Sequence, residues 1–185
     1  MNLLAFALTL LYWVDPHPEA PLAHAAMKQW EAASEGKLIV KAVDKEDDAE
    51  LRFRWLNPQY RGLYGSSIAK MVKGKLVHDL VINGTMANEE KDPLLAATIL
   101  FLTCVHESGH ALGLQHTRDF ADIMYSFEYG GDLQEYFARY RRQLQSREDF
   151  KKVSPVAKGD AAQLRAILDR RMRSETRSGG GAPNP

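Results

Sequence analysis

Three histidines and a glutamate stand close together in the chain as His106, Glu107, His110 and His116, with Gly113 between the last two histidines. An α-helix turns about 100° per residue, so His106 and His110 fall about 40° apart on one face, a turn apart, where two imidazoles can hold one metal ion. A continuing helix would carry His116 about 15 Å along the axis from His106, outside any shared coordination sphere. The chain must therefore reverse near Gly113, and glycine accepts the positive φ that ends a helix and redirects the backbone. Three neutral imidazoles leave a fourth tetrahedral position for water, the pattern of a catalytic rather than a structural zinc site. Glu107 adjoins a ligand but points off the ligand face, where it can take a proton from water and deliver it to a leaving amine. The chemistry implied is metal-assisted hydrolysis. Two histidines at this spacing can arise by chance on a solvated helix; the added Gly113 and His116 lower that chance by roughly three orders of magnitude.

On these residues the chain resembles the metzincin zinc endopeptidases and, within them, the matrixins, the group of the matrix metalloproteinases. Their signature, HExxHxxGxxH followed by a methionine turn, is matched by His106, Glu107, His110, Gly113, His116 and Met124. The Met-turn segment runs from Asp122 to Tyr125, and Thr117 stands where matrixins usually carry serine. The resemblance implies one catalytic Zn2+ held by His106, His110 and His116, with Glu107 as general base and acid. It also implies Met124 as a hydrophobic floor beneath the metal, a residue that spacing alone would assign to core filling. The implied activity is hydrolysis of internal peptide bonds in a protein or peptide substrate bound in extended conformation. The resemblance covers roughly residues 8 to 172 and is most specific from Thr98 to Tyr125.

The elements that must position these groups fit a chain of 185 residues. That length suits one domain able to bury about 70% of its unfolded surface. The expected fold is α+β: a single metzincin-type domain with a mixed twisted sheet, an active-site helix, a backing helix and a smaller helical part after Gly113. Its expected extent is residues 1–173, with a disordered, glycine- and proline-rich tail over 174–185. Asp92 as N-cap and Pro93 at the first helical position open the active-site helix. The run LLAATILFLTCV is apolar almost all round, so this helix is buried. Leu22, Ala26, Met27 and Trp30 recur at helical spacing and mark the backing helix. KLIVKAV and ELRFRW read as strands, and NPQYRGLYG as a loop. SSIAKMV and KLVHDLVIN flank Lys73 and Gly74 as a hairpin-like pair. In matrixins the strand equivalent to Gly65 through Val72 is the edge above the cleft, which pairs with substrate by β-augmentation.

The chain also departs from the matrixin pattern. His78 could match a ligand of the second, structural zinc that vertebrate members carry, but Lys70 occupies the approximate place of another family histidine. The acidic run from Asp44 to Glu50 reads as a solvated turn rather than a calcium loop. A second structural zinc or calcium is therefore not expected. A helical insertion over about 131–150, amphipathic through Leu133, Phe137, Tyr140 and Leu144, follows the Met-turn where matrixins have only a short segment. Tyr125 and Tyr129 are candidates for the pocket wall, or for the core.

Lys and Arg total 24 against 24 Asp and Glu, so no electrostatic footprint points to nucleic acid. The basic groups ARYRRQ and LDRRMRSETR read as solvated helix faces. The single cysteine, Cys104, reads as a small buried core residue, and no cysteine precedes residue 20 to supply the propeptide latch of matrixin zymogens. The N-terminal stretch MNLLAFALTLLYW has the apolarity of a signal peptide without a basic start or a small-residue cleavage site. It is too short for a stable membrane span. The resemblance places a first strand at LLYWVD, the preferred reading; an extracellular site of action, which the family implies, would then need a leader upstream. A monomer is expected. Two rival functions stay open: a hydrolase trimming chain ends or cutting a non-protein amide, and a zinc-binding interaction module or latent protease whose 131–150 helix covers the cleft.

Overall fold

The computed structural model describes residues 7–56 and 64–178. Within them five strands form one mixed sheet: β1 (Leu8–Val14), β2 (Leu38–Ala42), β3 (Leu51–Trp55), β4 (Gly65–Val72) and β5 (Lys75–Ile82), in the order β2-β1-β3-β5-β4. β1 lies parallel between β2 and β3, β3 pairs parallel with β5, and β4 alone runs antiparallel, against β5. Among the described residues β4 is thus an edge strand, its outer backbone groups unpaired by another strand. The β4–β5 hairpin turns at Lys73 (φ 51°) and Gly74 (φ 81°), two positive φ values in succession that suit the twist of a tight two-residue loop. The loop expected at NPQYRGLYG falls mostly on residues 57–63, outside the described residues, as do residues 1–6 of the apolar N-terminal stretch; its later part lies in the strand Leu8–Val14.

Among the described residues five α-helices accompany the sheet: α1 (Ala20–Ala33), the short α2 (Thr85–Asn88), α3 (Pro93–Leu112), α4 (Leu133–Arg141) and α5 (Lys158–Ser178). The Asp92 side chain accepts the Leu94 amide at 2.9 Å and Pro93 takes the first turn, so α3 starts where its capping residues expect. Its length and hydropathy would suit a bilayer, but 72% of its apolar window is buried against the rest of the protein. α1 backs it: Leu22, Ala26, Met27 and Trp30 are buried, and Trp30 Nε1 donates to Val105 O and Ser108 Oγ, each at 3.0 Å. Phe53, Leu80 and Ile82 from the sheet are fully buried in the same core. Each such side chain contributes about 1.5–3 kcal/mol through burial. Cys104 is enclosed there too, and burial pushes its thiol far up, as befits a core residue.

Two expectations need correction. The segment 131–150 is not one helix: α4 ends at Arg141 and a separate 3-10 turn follows at Arg147–Lys151. Asp149 accepts the amides of Gln145 (2.8 Å) and Ser146 (2.9 Å), a local alternative to continued helix, and Phe150 folds back onto Phe101 with ring centroids 4.7 Å apart. At the other end α5 runs to Ser178, so the boundary expected at 173 falls inside a helix; no breaker occurs before the glycine run at 179. Residues 179–185 lie outside the described residues.

Charges over the sheet are largely paired. Glu46 accepts from Arg52 (2.9 Å) and Arg54 (2.5 Å), Asp47 pairs with Lys73 at 2.7 Å, and Lys70 pairs with Asp79. Within the acidic run from Asp44 to Glu50, Glu46–Asp48 forms a short 3-10 turn in which Glu46 and Asp47 face cations of the protein.

Candidate metal centre and cleft

α3 delivers His106 and His110 on one face, and Gly113 reverses the chain. Gly113 has φ 103°; its amide bonds His110 O at 2.9 Å, and the Leu114 amide bonds Gly109 O at 3.0 Å. These two bonds form the Schellman stop of a helix, which a left-handed residue permits. The reversal swings His116 back to the other two imidazoles. His116 Nε2 lies 3.3 Å from His106 Nε2 and 3.1 Å from His110 Nε2. A tetrahedral ion with Zn–N bonds of about 2.0–2.1 Å spaces its ligands about 3.3 Å apart, which both His116 spacings approach, and the three ligand atoms all lie within 4.8 Å of one another. Among the described residues it is the one group of three or more potential ligating side chains.

The rings are also oriented. His106 Nδ1 faces Ile123 O at 2.7 Å, and His110 Nδ1 faces Leu114 O at 3.1 Å. A carbonyl only accepts, so each Nδ1 carries the proton and each Nε2 presents its lone pair to the common point. Lone pairs that converge this way repel unless a cation lies between them, which is the donor chemistry a zinc ion requires. Burial drives the His106 imidazole down to about 4, with the neighbouring His110 and His116 adding to the effect against the Ile123 carbonyl. His110 is lowered as well, chiefly by burial. Both rings are thus neutral at ordinary pH, as metal ligation demands.

Glu107 is 7% exposed and lines the same cavity as the triad. Burial pushes its carboxyl up to about 7, close to the pH at which proton transfer in both directions is efficient. Met124 is fully buried, with its sulfur 2.5 Å from where a Cβ on Gly109 would stand. The methionine therefore packs against the helix at the turn that carries His110. Thr117 and Tyr125 form a parallel bridge, and the Thr117 amide donates to Met124 O at 2.9 Å, so the Met-turn is laced to the residue after His116.

The cavity has a volume of ≈ 480 Å³ and extends from the triad between β4 and the Met-turn segment. Gly65, Ser66 and Ser67 of β4 form one side, and Tyr125, Tyr136 and Phe137 contribute an aromatic wall. Tyr125 is thus at the wall, whereas Tyr129 is exposed and stacks under Arg118 at 4.8 Å. α4 contributes two residues to that wall, and His116 stays exposed, so the triad is open to solvent. His78 lies on β5, apart from the triad.

Two contributors were not legible as site residues. Tyr136 stands beside Phe137 in an amphipathic helix, and its hydroxyl donates to Asp122 O (3.2 Å) and Ile123 O (3.1 Å), the latter being the carbonyl that orients His106. Asp160 is fully buried at the start of α5 and accepts the amides of Ile123 (2.8 Å), Met124 (3.1 Å) and Ala157 (3.0 Å). Its only sequence signal is an acid in the first turn of a helix, a common capping choice.

A family model described as Matrixin matches residues 19–136, more than half of the chain, from the start of α1 through the triad and Met-turn into α4. The chain belongs to the matrixin family. The matrixin is thus a zinc metallopeptidase at the level of its family, acting on proteins, and its fold is the mixed α/β arrangement described above. It is similar to an archaemetzincin from Methanopyrus kandleri, at 16% identity and a TM-score of 0.48, over 89% of this matrixin and 97% of that chain. No curated protein matches it.

Proposed function

We propose that this matrixin is an endopeptidase in which His106, His110 and His116 hold one zinc ion and Glu107 is the general base and acid. One observation carries the reading: three Nε2 atoms converge beside a buried glutamate, under a strand at the edge of the described sheet. Bound zinc would supply Lewis acidity to the attacking water and to the scissile carbonyl.

Everything else falls to the chain. The free edge of β4 pairs with the substrate backbone, which holds the peptide extended and lets it run past both ends of the cleft. This openness favours internal cuts over trimming of chain ends. The cavity walled by Tyr125, Tyr136 and Phe137 receives the side chain that follows the scissile bond. Glu107 takes the proton of the attacking water at a carboxylate oxygen, keeps it out of bulk solvent, and passes it to the departing nitrogen. A carboxyl pushed up to about 7 by burial is suited to both halves of that transfer. Met124 supports the triad from behind and is not a ligand. Tyr136 and Phe137 of α4 stand in the wall, which counts against a helix that seals the cleft.

The test is digestion of a diverse peptide library by zinc-loaded protein, read by mass spectrometry, beside Glu107→Ala. Internal cuts by the parent, with zinc retained and activity lost by several orders of magnitude in the variant, are expected. Undiminished cleavage by Glu107→Ala would remove Glu107 from the mechanism.

A further inference from the structure

Gly65 begins β4 at the place where the edge strand meets the middle of α3. A Cβ added there would stand 2.7 Å from Thr103 Cγ2, 2.8 Å from Glu107 Cγ and 3.0 Å from Glu107 Oε1. Non-bonded carbons rest at about 3.5–4.0 Å, so even one methyl group does not fit without displacing something. Thr103 and Glu107 are a helical turn apart and stack on the same face, which is why both meet the same point of the strand. The Thr103 hydroxyl is tied to Ile99 O at 2.8 Å, which holds that side chain in place. Among the described residues no hydrogen bond ties the Glu107 side chain in the same way, so it is the group that would give way.

We infer that Gly65 is a positioning residue for Glu107: the bare backbone at the start of β4 rests directly on the glutamate side chain and holds its carboxylate in the cavity of the histidine triad. The inference rests on the role of Glu107 proposed above. A flexible glutamate has three side-chain torsions to restrain, and a strand laid across its stem removes much of that freedom before substrate arrives. The same contact makes β4 serve two ends of the reaction, since the strand that pairs with the peptide also sets where the proton acceptor sits. The requirement at residue 65 is one of space, because its backbone lies outside the left-handed region that glycine alone favours.

The experiment uses the full chain and the variants Gly65→Ala and Gly65→Ala/Thr103→Ser, with zinc affinity, peptide kinetics and crystal structures for each. A misplacement of about 1 Å near a reacting group can cost about 100-fold in rate. The expected result for Gly65→Ala is a kcat lowered by about that factor, KM and zinc affinity close to the parent, and a displaced Glu107 carboxylate in the crystal. The double variant removes the methyl group nearest the new Cβ, relieving part of the crowding should the single variant not fold, and leaves the clash with Glu107. It should remain impaired. Recovery to the parent kcat on Thr103→Ser would make the contact one of packing against Thr103 and overturn the inference, as would an unmoved Glu107 or a loss confined to KM. If the parent itself cuts no peptide, the proposed endopeptidase falls, while the position of Glu107 in the variant crystals still decides what Gly65 does.

Discussion

The carboxylate of Asp160 accepts the amide of Met124 at 3.1 Å, tying the first turn of α5 to the segment that passes behind the histidine triad. The same carboxylate takes the Ile123 amide at 2.8 Å and the Ala157 amide at 3.0 Å. One buried side chain therefore satisfies three backbone donors from two segments. Asp160→Ala would leave those donors without an acceptor in the interior, at about 1–3 kcal/mol for each one that water cannot reach. The expected result in urea unfolding is a loss of about 3 kcal/mol or more, with Asp160→Asn intermediate because one amide oxygen remains. Parent-like stability in Asp160→Ala would show that the turn holds without it.

The chain reversal at Gly113 is set by backbone conformation rather than by crowding. A Cβ there would meet nothing nearer than 3.6 Å, but φ is 103°. Gly113→Ala should therefore cost about 1–2 kcal/mol, and Gly113→Asn less, because asparagine tolerates the left-handed region. Zinc affinity should fall in the same order, since the reversal is what returns His116 to its partners. Calorimetric titration of both variants with zinc checks the order; equal losses would point to packing instead.

Acid should destabilise the metal-free protein through His106. Its ring is driven down to about 4 in the folded chain by burial, while an unfolded histidine titrates near 6.5. The unfolded state thus binds the proton first as pH falls, and folding stability is lost between about pH 6.5 and 4 at up to about 1.4 kcal/mol per pH unit. Above pH 6.5 this contribution is complete and flat. Unfolding of chelator-treated protein at a series of pH values should show the slope, and His106→Gln should lack its share of it.

Tyr136→Phe separates the two roles of Tyr136. The ring stays in the cavity wall, but the bonds to Asp122 O and Ile123 O at 3.2 and 3.1 Å are lost. Stability should fall by about 1–2 kcal/mol. The preferred side chain after the scissile bond should not change, because the wall keeps its shape. A weaker zinc affinity is also expected, since the Ile123 carbonyl is the one that orients His106. Profiling the variant on the same peptide library, beside zinc titration, checks all three; a changed preference would mean that the hydroxyl itself reads the substrate.

How much of this was legible beforehand depended on distance along the chain. His106 and His110 share a face because a helix repeats every 3.6 residues, and Gly113 turns the chain because glycine admits positive φ. The cap at Asp92, the hairpin turn at Lys73 and Gly74, and the buried stripe of α1 are likewise local patterns, each governed by a few neighbouring residues. Their physics acts over one turn of helix or one hairpin, so the residue order suffices. The three histidines and their order belong to this class, and with them the chemistry they imply.

Tertiary structure alone decided the rest. No periodicity relates Asp160 to Met124, 36 residues away, or Gly65 to Glu107. Nor does any local pattern say that β1 sits between β2 and β3, or that Tyr136 of α4 turns toward the Met-turn. The break after Arg141 shows the same limit: helix periodicity through Leu144 was real, but side-chain bonds at Asp149 and the docking of Phe150 on Phe101 outweighed it. These contacts are chosen by what fills space and satisfies buried donors once the elements have met, and that selection exists only in the folded chain.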